Sequence, residues 1–378
     1  MRNIIKVVHC ISDTNFGGAG RVLLNYLAHF DTSAFDVTVV LPKGSKLLGY
    51  MDPEKYEIVE FDGLYDRSYD RKDVRGLVDL FRCLCPVIVH SHGALSARIA
   101  GKKIGAKVVY TRHSVFDLPE WQTSFFGRKM LGTLNHRYSD RIIAVSPAAK
   151  TLLTETGTDP SRIDVVMNGV ERVLPVTESE KDALRERYGV QKGDFVCSII
   201  ARLEEVKGHR YLIDACAALK KQGVRDLKVL IAGTGGIRDD LIRYAGEKDV
   251  TDIVHFVGFI KNISDLLSVT DLQINASYGT EATSMALLEG FSMGIPAIAS
   301  DFGGNPFVVE DGVNGLLFAK KDPAALARAI LQMKEDRVLY EQCSSGAFAD
   351  YESRFTAENM TRETEKVYFK ILKKEEPR

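Results

Sequence analysis

The sequence predicts an α/β protein built from two parallel sheets in tandem, each with helices on both sides. Three observations predict it. Short apolar runs alternate with helical segments along most of the chain, which is the pattern of strands joined by crossover helices. Several of the runs are continuously apolar, as strands buried on both faces are. The alternation stops in a polar, Pro-containing passage after Asn168-Gly169 and restarts at Phe195; at 378 residues the chain suits two domains of ordinary size.

Taken in order, the first half reads as strands at Ile4–Cys10, Asp36–Leu41, Tyr56–Phe61, Val87–His90, Lys107–Thr111, Arg141–Val145 and Ile163–Met167. Helices fit between some of them, at Gly20–His29, Arg75–Cys83, Ala94–Lys103 and Ala148–Thr156. The charged segment Thr177–Tyr188 follows, and Thr177 with Glu180 has the spacing of a capping box, which marks a helix start. The second half reads as strands at Val196–Ala201, Lys228–Ala232, Ile253–Val257, Asp271–Asn275, Ala297–Ala299 and Gly315–Phe318. Gly279-Thr280 supplies a loop, Ala282–Phe291 is rich in helix formers, and Gly294-Ile295-Pro296 stops that helix. A last helix covers Ala357–Lys373. The domain boundary is placed near Arg172, giving segments 1–172, 173–356 and 357–378.

Hydrophobic residues make up 45% and charged residues 27%, a globular composition, and the net charge of −1 excludes general nucleic-acid affinity. Cys10, Cys83, Cys85, Cys197, Cys216 and Cys343 have no zinc-ligand spacing and read as reduced thiols. Met1–Lys6 leads into a strand without a signal-peptide stretch, and no apolar run is long enough to span a bilayer. The expectation is a cytoplasmic protein. One segment bears on membranes: Trp121–Leu134 sets Phe125-Phe126 ahead of Arg128-Lys129. It can rest on an anionic bilayer at the inner face of the cell membrane, or pack its aromatics onto the domain's own sheet.

In open α/β sheets ligands bind at the carboxyl ends of the strands, and most chemically capable residues fall there. Gly17, Gly18 and Gly20 follow the first strand and open the first helix, where backbone can approach an anion. His90 and His92 follow one apolar strand and His113 another. Arg202 and Lys207 follow the first strand of the second half; an Arg grips phosphate oxygens bidentately and a Lys adds a point charge. Glu281 and Glu289 flank a helix start, whose free N–H groups suit a phosphate, while each carboxylate accepts from sugar hydroxyls. At 1.5 Å per residue the two lie about 12 Å apart along a helix, which suits opposite ends of an extended ligand better than a glycosidase pair. No metal is implied: no D-x-D ends a strand, and Asp239-Asp240 reads as solvated.

The ordered set GTEATSMALLEGFSMGIPAIAS, ARLEEVKGHRYLIDA, LIAGTGG, HFVGFI and DFGGNPFVVEDGVNGLLF, with TNFGGAGR, YTRHSVF, AVSPAAK and MNGV in the first half, resembles the retaining glycosyltransferases of family 4. The resemblance spans nearly the whole chain. It implies the GT-B fold, two Rossmann-like domains facing each other across a cleft, with the last helix returning to the first. It further implies a nucleoside-diphosphate sugar, UDP-linked, as co-substrate and no cofactor. His113, Glu281, Arg202 and Lys207 would carry the catalytic work. Gly17, Gly18, His92, Gly233, Gly235, Thr283, Ser284, Met285 and Glu289 would hold the donor. In place of the family's common Gly-rich or Phe-Gly step after the first Glu, this chain has Ala282-Thr283-Ser284, which changes the sugar pocket. The acceptor is not readable; a cell-surface polysaccharide or lipid-linked precursor fits. The alternatives are a GT-B nucleotide-sugar epimerase and a non-catalytic nucleotide-sugar-binding protein.

Overall fold

Each of the apolar runs becomes a strand. The structure, a computed structural model, describes residues 4–373. Residues 1–3, and residues 374–378 of the expected C-terminal segment, lie outside the described residues. The chain divides into two units, Met1–Gly169 with Ala357–Arg378, and Val170–Thr356.

The first unit holds β1 (Ile5–Ile11), β2 (Phe35–Pro42), β3 (Glu57–Phe61), β4 (Ile88–His92), β5 (Lys107–Arg112), β6 (Arg141–Ala144) and β7 (Ile163–Val165). All pair parallel, in the order β3-β2-β1-β4-β5-β6-β7. Its helices are α1 (Gly18–His29), α2 (Arg71–Leu84), α3 (Leu95–Lys103), α4 (Glu120–Thr123), α5 (Phe125–Tyr138) and α6 (Pro147–Glu155). The second unit opens with α7 (Glu178–Tyr188), whose Thr177–Glu180 capping box forms as expected. Its strands are β8 (Phe195–Ile200), β9 (Leu227–Ala232), β10 (Val254–Gly258), β11 (Leu272–Asn275), β12 (Ala297–Ser300) and β13 (Gly315–Phe318), in the order β10-β9-β8-β11-β12-β13, again parallel. Between and after them run α8 (His209–Lys221), α9 (Arg238–Glu247), α10 (Ile263–Leu267), α11 (Met285–Phe291), α12 (Pro323–Glu335) and α13 (Arg337–Asp350). The last helix, α14 (Ala357–Leu372), belongs to the first unit and packs on α1.

In both sheets the strand order reverses beside the first strand, between β1 and β4 and between β8 and β11. Chains leaving two such strands diverge and open a crevice at their carboxyl ends. Gly17, Gly18 and His92 in the first unit and Arg202, Lys207 and Glu281 in the second lie at the ends of strands that flank these reversals, while His113 and the loop of Gly233 and Gly235 follow the neighbouring strands β5 and β9.

Two expectations need correction. The helix expected over Ala282–Phe291 starts only at Met285. Gly304 N–H donates to the Glu281 carbonyl at 3.0 Å, so that carbonyl is taken out of the helical ladder and Ala282–Ser284 stay in a loop. The aromatics ahead of Arg128 do not pack onto the sheet: Phe125 is 76% and Phe126 80% exposed, with Trp121 and Met130 also exposed. The inner face of α5 is made of Gly127, Gly132 and Asn135. A Cβ at Gly132 would stand 2.2 Å from the Gly157 carbonyl oxygen, so the helix lies against its neighbour by backbone and turns its large side chains outward. Among the described residues no helix is long and apolar enough to cross a membrane.

Candidate active site

In the second unit the loops leaving β8 and β11 meet through one ion pair. Lys207 closes a single 3-10 turn, Glu205–Lys207, after β8. Gly208 follows with φ +75°, and a Cβ there would lie 2.1 Å from the Ala276 carbonyl oxygen, so the turn demands glycine. This tight fit brings Lys207 Nζ 3.1 Å from Glu281 Oε2 and 3.0 Å from the Thr280 carbonyl oxygen. Asn275 Nδ2 and Ser277 Oγ donate to the same Glu281 oxygen at 3.0 and 3.1 Å. Three donors thus fix a carboxylate that is largely buried. An ammonium has three N–H donors, so Lys207 keeps one beyond these two bonds.

Around this pair the backbone is crowded by design of the sequence. Gly303 and Gly304 lie on the Glu281 and Ala282 carbonyls, where a Cβ would approach to 2.3 and 1.6 Å. Gly233 and Gly235 lie equally close on Ala201 and Leu203, in the loop that carries Arg202. Arg202 is 71% exposed and paired with Glu204 at 2.7 Å. Thr283, Ser284 and Glu289 are buried, and Met285 is half-buried. Two solvated glutamates on an ordinary helix would not look like this. At the start of α9 Asp239 is exposed and Asp240 half-buried, each paired with an arginine of its own helix. Beside Lys207, buried His209 is held at a pKa of about 4 by burial and then by the Lys207 charge; the sequence did not single it out.

In the first unit His113 follows β5 and His92 ends β4; their ring planes are 25° apart and meet edge to edge, with His92 Nδ1 2.9 Å from His113 Nε2. Both line a cleft of about 540 Å³ together with Ser12, Asp13, Ala19 and Asp66, beside the start of α1. Gly17 caps α1 with φ −124°, and a Cβ at Gly18 would meet nothing within 4 Å, so the protein's own packing does not force these glycines. Burial, then Asp66, raises the Asp13 carboxyl above its usual range. His90 lies inside β4 and bonds Thr111 and Tyr368.

Sequence reading missed His9. It sits between Val8 and Cys10 in the buried part of β1, and the parallel register sets it beside His90. His9, His90 and His92 bring nitrogens within 4.8 Å of one another. The only hint in the sequence is an imidazole in a strand that otherwise buries aliphatic side chains, paired with His90-Ser91-His92 in another.

Comparison with known proteins identifies the family of this chain. Residues 180–350 match the family described as Glycosyl transferases group 1, and residues 16–172 match Glycosyltransferase Family 4. The protein EpsD of Bacillus subtilis (strain 168), named as a glycosyltransferase, is 31% identical over 329 residues, covering 82% of this chain and 83% of its own. The UDP-Gal:alpha-D-GlcNAc-diphosphoundecaprenol alpha-1,3-galactosyltransferase of Escherichia coli is 25% identical over 350 residues, 89% of each chain. In structure, Anabaena HepE (Alr3699) in complex with UDP superposes with a TM-score of 0.83 at 22% identity, covering 97% of this chain and all of that one. Family and fold define a GT-B enzyme that transfers a sugar from a nucleotide sugar. The chain belongs to the group 1, family 4 glycosyltransferases.

Proposed function

We propose that this enzyme is a retaining, metal-independent hexosyltransferase that takes its sugar from a UDP-linked donor and passes it to a lipid-linked precursor of a cell-surface polysaccharide, working in the cytoplasm. The observation that carries the proposal is the Lys207–Glu281 junction at the reversal of the second sheet, with exposed Arg202 on the adjoining loop. Arg202 gives up a solvent-exposed pair with Glu204, which costs little, and turns onto the diphosphate. Lys207 adds its third N–H. Together they neutralise charge that grows on the leaving diphosphate as the glycosidic bond breaks. Glu281, held through one oxygen, accepts from donor-sugar hydroxyls; Glu289 accepts from the ribose. Backbone N–H groups of Thr283 to Met285 approach the phosphates, and the Gly233 and Gly235 loop closes around them. Gly17 and Gly18 leave room for the donor phosphates and the acceptor, and His113, with His92 behind it, serves the reacting centre. No nucleophile stands on the β face in this reading, so displacement from the front face is the route.

The UDP assignment is supported by the Escherichia coli relative, named for UDP-Gal, and by HepE, which binds UDP. The lipid-linked acceptor is supported by the same relative's diphosphoundecaprenol substrate and by the exposed aromatics of α4 and α5. An epimerase would convert its nucleotide sugar without any acceptor. A panel of UDP-, GDP- and ADP-sugars, with and without polyprenyl-diphosphate-linked N-acetylglucosamine and with EDTA throughout, tests the proposal. UDP release that needs the acceptor, with an α-configured product, is expected. Acceptor-independent inversion of the nucleotide sugar, a β-configured product, or full loss in EDTA with recovery on adding magnesium or manganese counts against it.

A further inference from the structure

Four histidines of the first unit join one continuous run of hydrogen bonds that passes through Tyr368 of the last helix. His113 Nε2 is 2.9 Å from His92 Nδ1, and His92 Nε2 is 3.0 Å from His9 Nδ1. His9 Nε2 is 3.2 Å from the Tyr368 hydroxyl, which is also 2.5 Å from His90 Nδ1. His90 Nε2 closes the run on the Thr111 hydroxyl at 2.6 Å. His9, His90, His92 and Tyr368 are buried. Burial and neighbouring imidazoles hold those three histidines well below the usual range, and burial with the Arg112 charge holds His113 at about 4. All four are therefore neutral at pH 7.

A neutral imidazole has one N–H and one lone pair. Each link thus dictates the next, and the run points one way only. Tyr368 sets the direction. A phenol is a much stronger acid than a neutral imidazole N–H, so it is the better donor, and O–H donors make the shorter bonds. Two hydroxyls compete to donate to His90, Tyr368 at 2.5 Å and Thr111 at 2.6 Å; the phenol is a far stronger acid than an alcohol, so Tyr368 donates to Nδ1, Thr111 accepts from Nε2–H, and the 3.2 Å contact is an N–H from His9. His9 Nε2 then carries the proton and Nδ1 accepts, His92 donates from Nε2 and accepts at Nδ1, and His113 donates from Nε2. A shared metal ion is the other use of such a cluster. Imidazole lone pairs lie in the ring plane, however, and the His9 and His92 planes are only 19° apart with Nδ1 and Nε2 facing each other at 3.0 Å, the geometry of an N–H···N bond, in which the two lone pairs meet head-on instead of converging on a third point.

We infer that Tyr368, a positioning residue on α14, acts through His9 and His92 to lock His113 as the Nε2–H tautomer, leaving Nδ1 bare as the acceptor for a substrate hydroxyl. Only the last clause rests on the proposed function; the tautomer stands apart from it.

Two-bond proton–nitrogen correlation spectra of the ¹⁵N-histidine-labelled full chain at neutral pH test this, with His113 assigned by its loss in His113→Gln. Nδ1 of His113 is expected at the unprotonated position and Nε2 at the protonated one. In Tyr368→Phe the run loses its directing donor, and both His113 signals are expected to move toward the tautomer average. Turnover of the UDP-sugar chosen by the donor panel should fall about tenfold with KM within about twofold, as when positioning alone is lost. A wild-type His113 protonated at Nδ1, or an unchanged His113 spectrum in Tyr368→Phe, overturns the inference. A tautomer shift with unchanged turnover upholds it and removes His113 from the chemistry instead. Should Tyr368→Phe not fold, the wild-type spectrum alone decides.

Discussion

Lys207 and Arg202 present the same chemistry in two physical settings, and they separate stability from catalysis. Arg202→Ala removes an exposed side chain and should leave the melting temperature unchanged, while Lys207→Ala also strips a largely buried carboxylate of its cation. Bonds to charged groups are worth about 1.5–3 kcal/mol, so each variant should lose roughly tenfold to more than a hundredfold in kcat/KM. Values within about twofold of wild type for both would remove them from the phosphate site. A second outcome concerns pH. In the proposed mechanism His113 acts as a neutral imidazole, and burial with the Arg112 charge holds its pKa at about 4, so the acid limb of kcat/KM should fall near 4 and not near 6.5. Stability has its own sign. The unfolded chain takes up protons on histidine below about 6.5, whereas the folded chain refuses them until lower pH, so stability drops as pH falls through that window. Glu365, raised to about 7 by burial, works the other way, but it is one group against His9, His90, His92 and His113. Thermal melts at pH 7.5 and 5.5 should show the lower midpoint at 5.5; a higher one would contradict the buried neutral cluster. Arg202, Lys207 and Glu281 were legible because each follows a strand in a distinctive string. His9 was not, because its partners appear only once β1 and β4 are in register.

At the scale of elements, the strands were legible throughout, since buried parallel strands write themselves as apolar runs with turns between. Helix starts were harder. The shortening of α11 depends on a hydrogen bond from Gly304, which lies beyond β12 in the chain, and no local propensity encodes that. The outward turn of Phe125 and Phe126 follows from glycines on the opposite face of α5, a pattern of omission that hydrophobicity counting passes over. It makes two predictions. Gly132→Ala should destabilise the first unit by about 1–3 kcal/mol in urea titration, because its Cβ has no room against Gly157; a neutral result would mean that α5 sits farther out. The exposed aromatics beside Arg128 and Lys129 should bring the protein up with anionic vesicles in flotation at low salt, and Lys129→Glu with Phe126→Ser should leave it at the bottom. Equal behaviour of both proteins on anionic and neutral vesicles would favour a soluble acceptor.

At the scale of the whole molecule, one plan appears twice: a parallel sheet, a reversal of strand order beside its first strand, and a chemically loaded crevice at that reversal. The first unit loads its crevice with imidazoles and the second with a lysine, an arginine and a carboxylate. That division of labour was legible as motifs, while the wiring of each crevice was not, because it joins residues as distant as His9 and Tyr368. The central claim is that the second crevice handles the leaving diphosphate of a UDP-sugar without a metal. It is tested most directly by UDP release from a panel of UDP-sugars with a polyprenyl-diphosphate-linked acceptor in excess EDTA, wild type against Lys207→Ala. Acceptor-dependent UDP release from one sugar, undiminished by EDTA and at least about tenfold slower in Lys207→Ala, is the predicted result. Release that stops in EDTA, or that proceeds equally fast without Lys207, would contradict it.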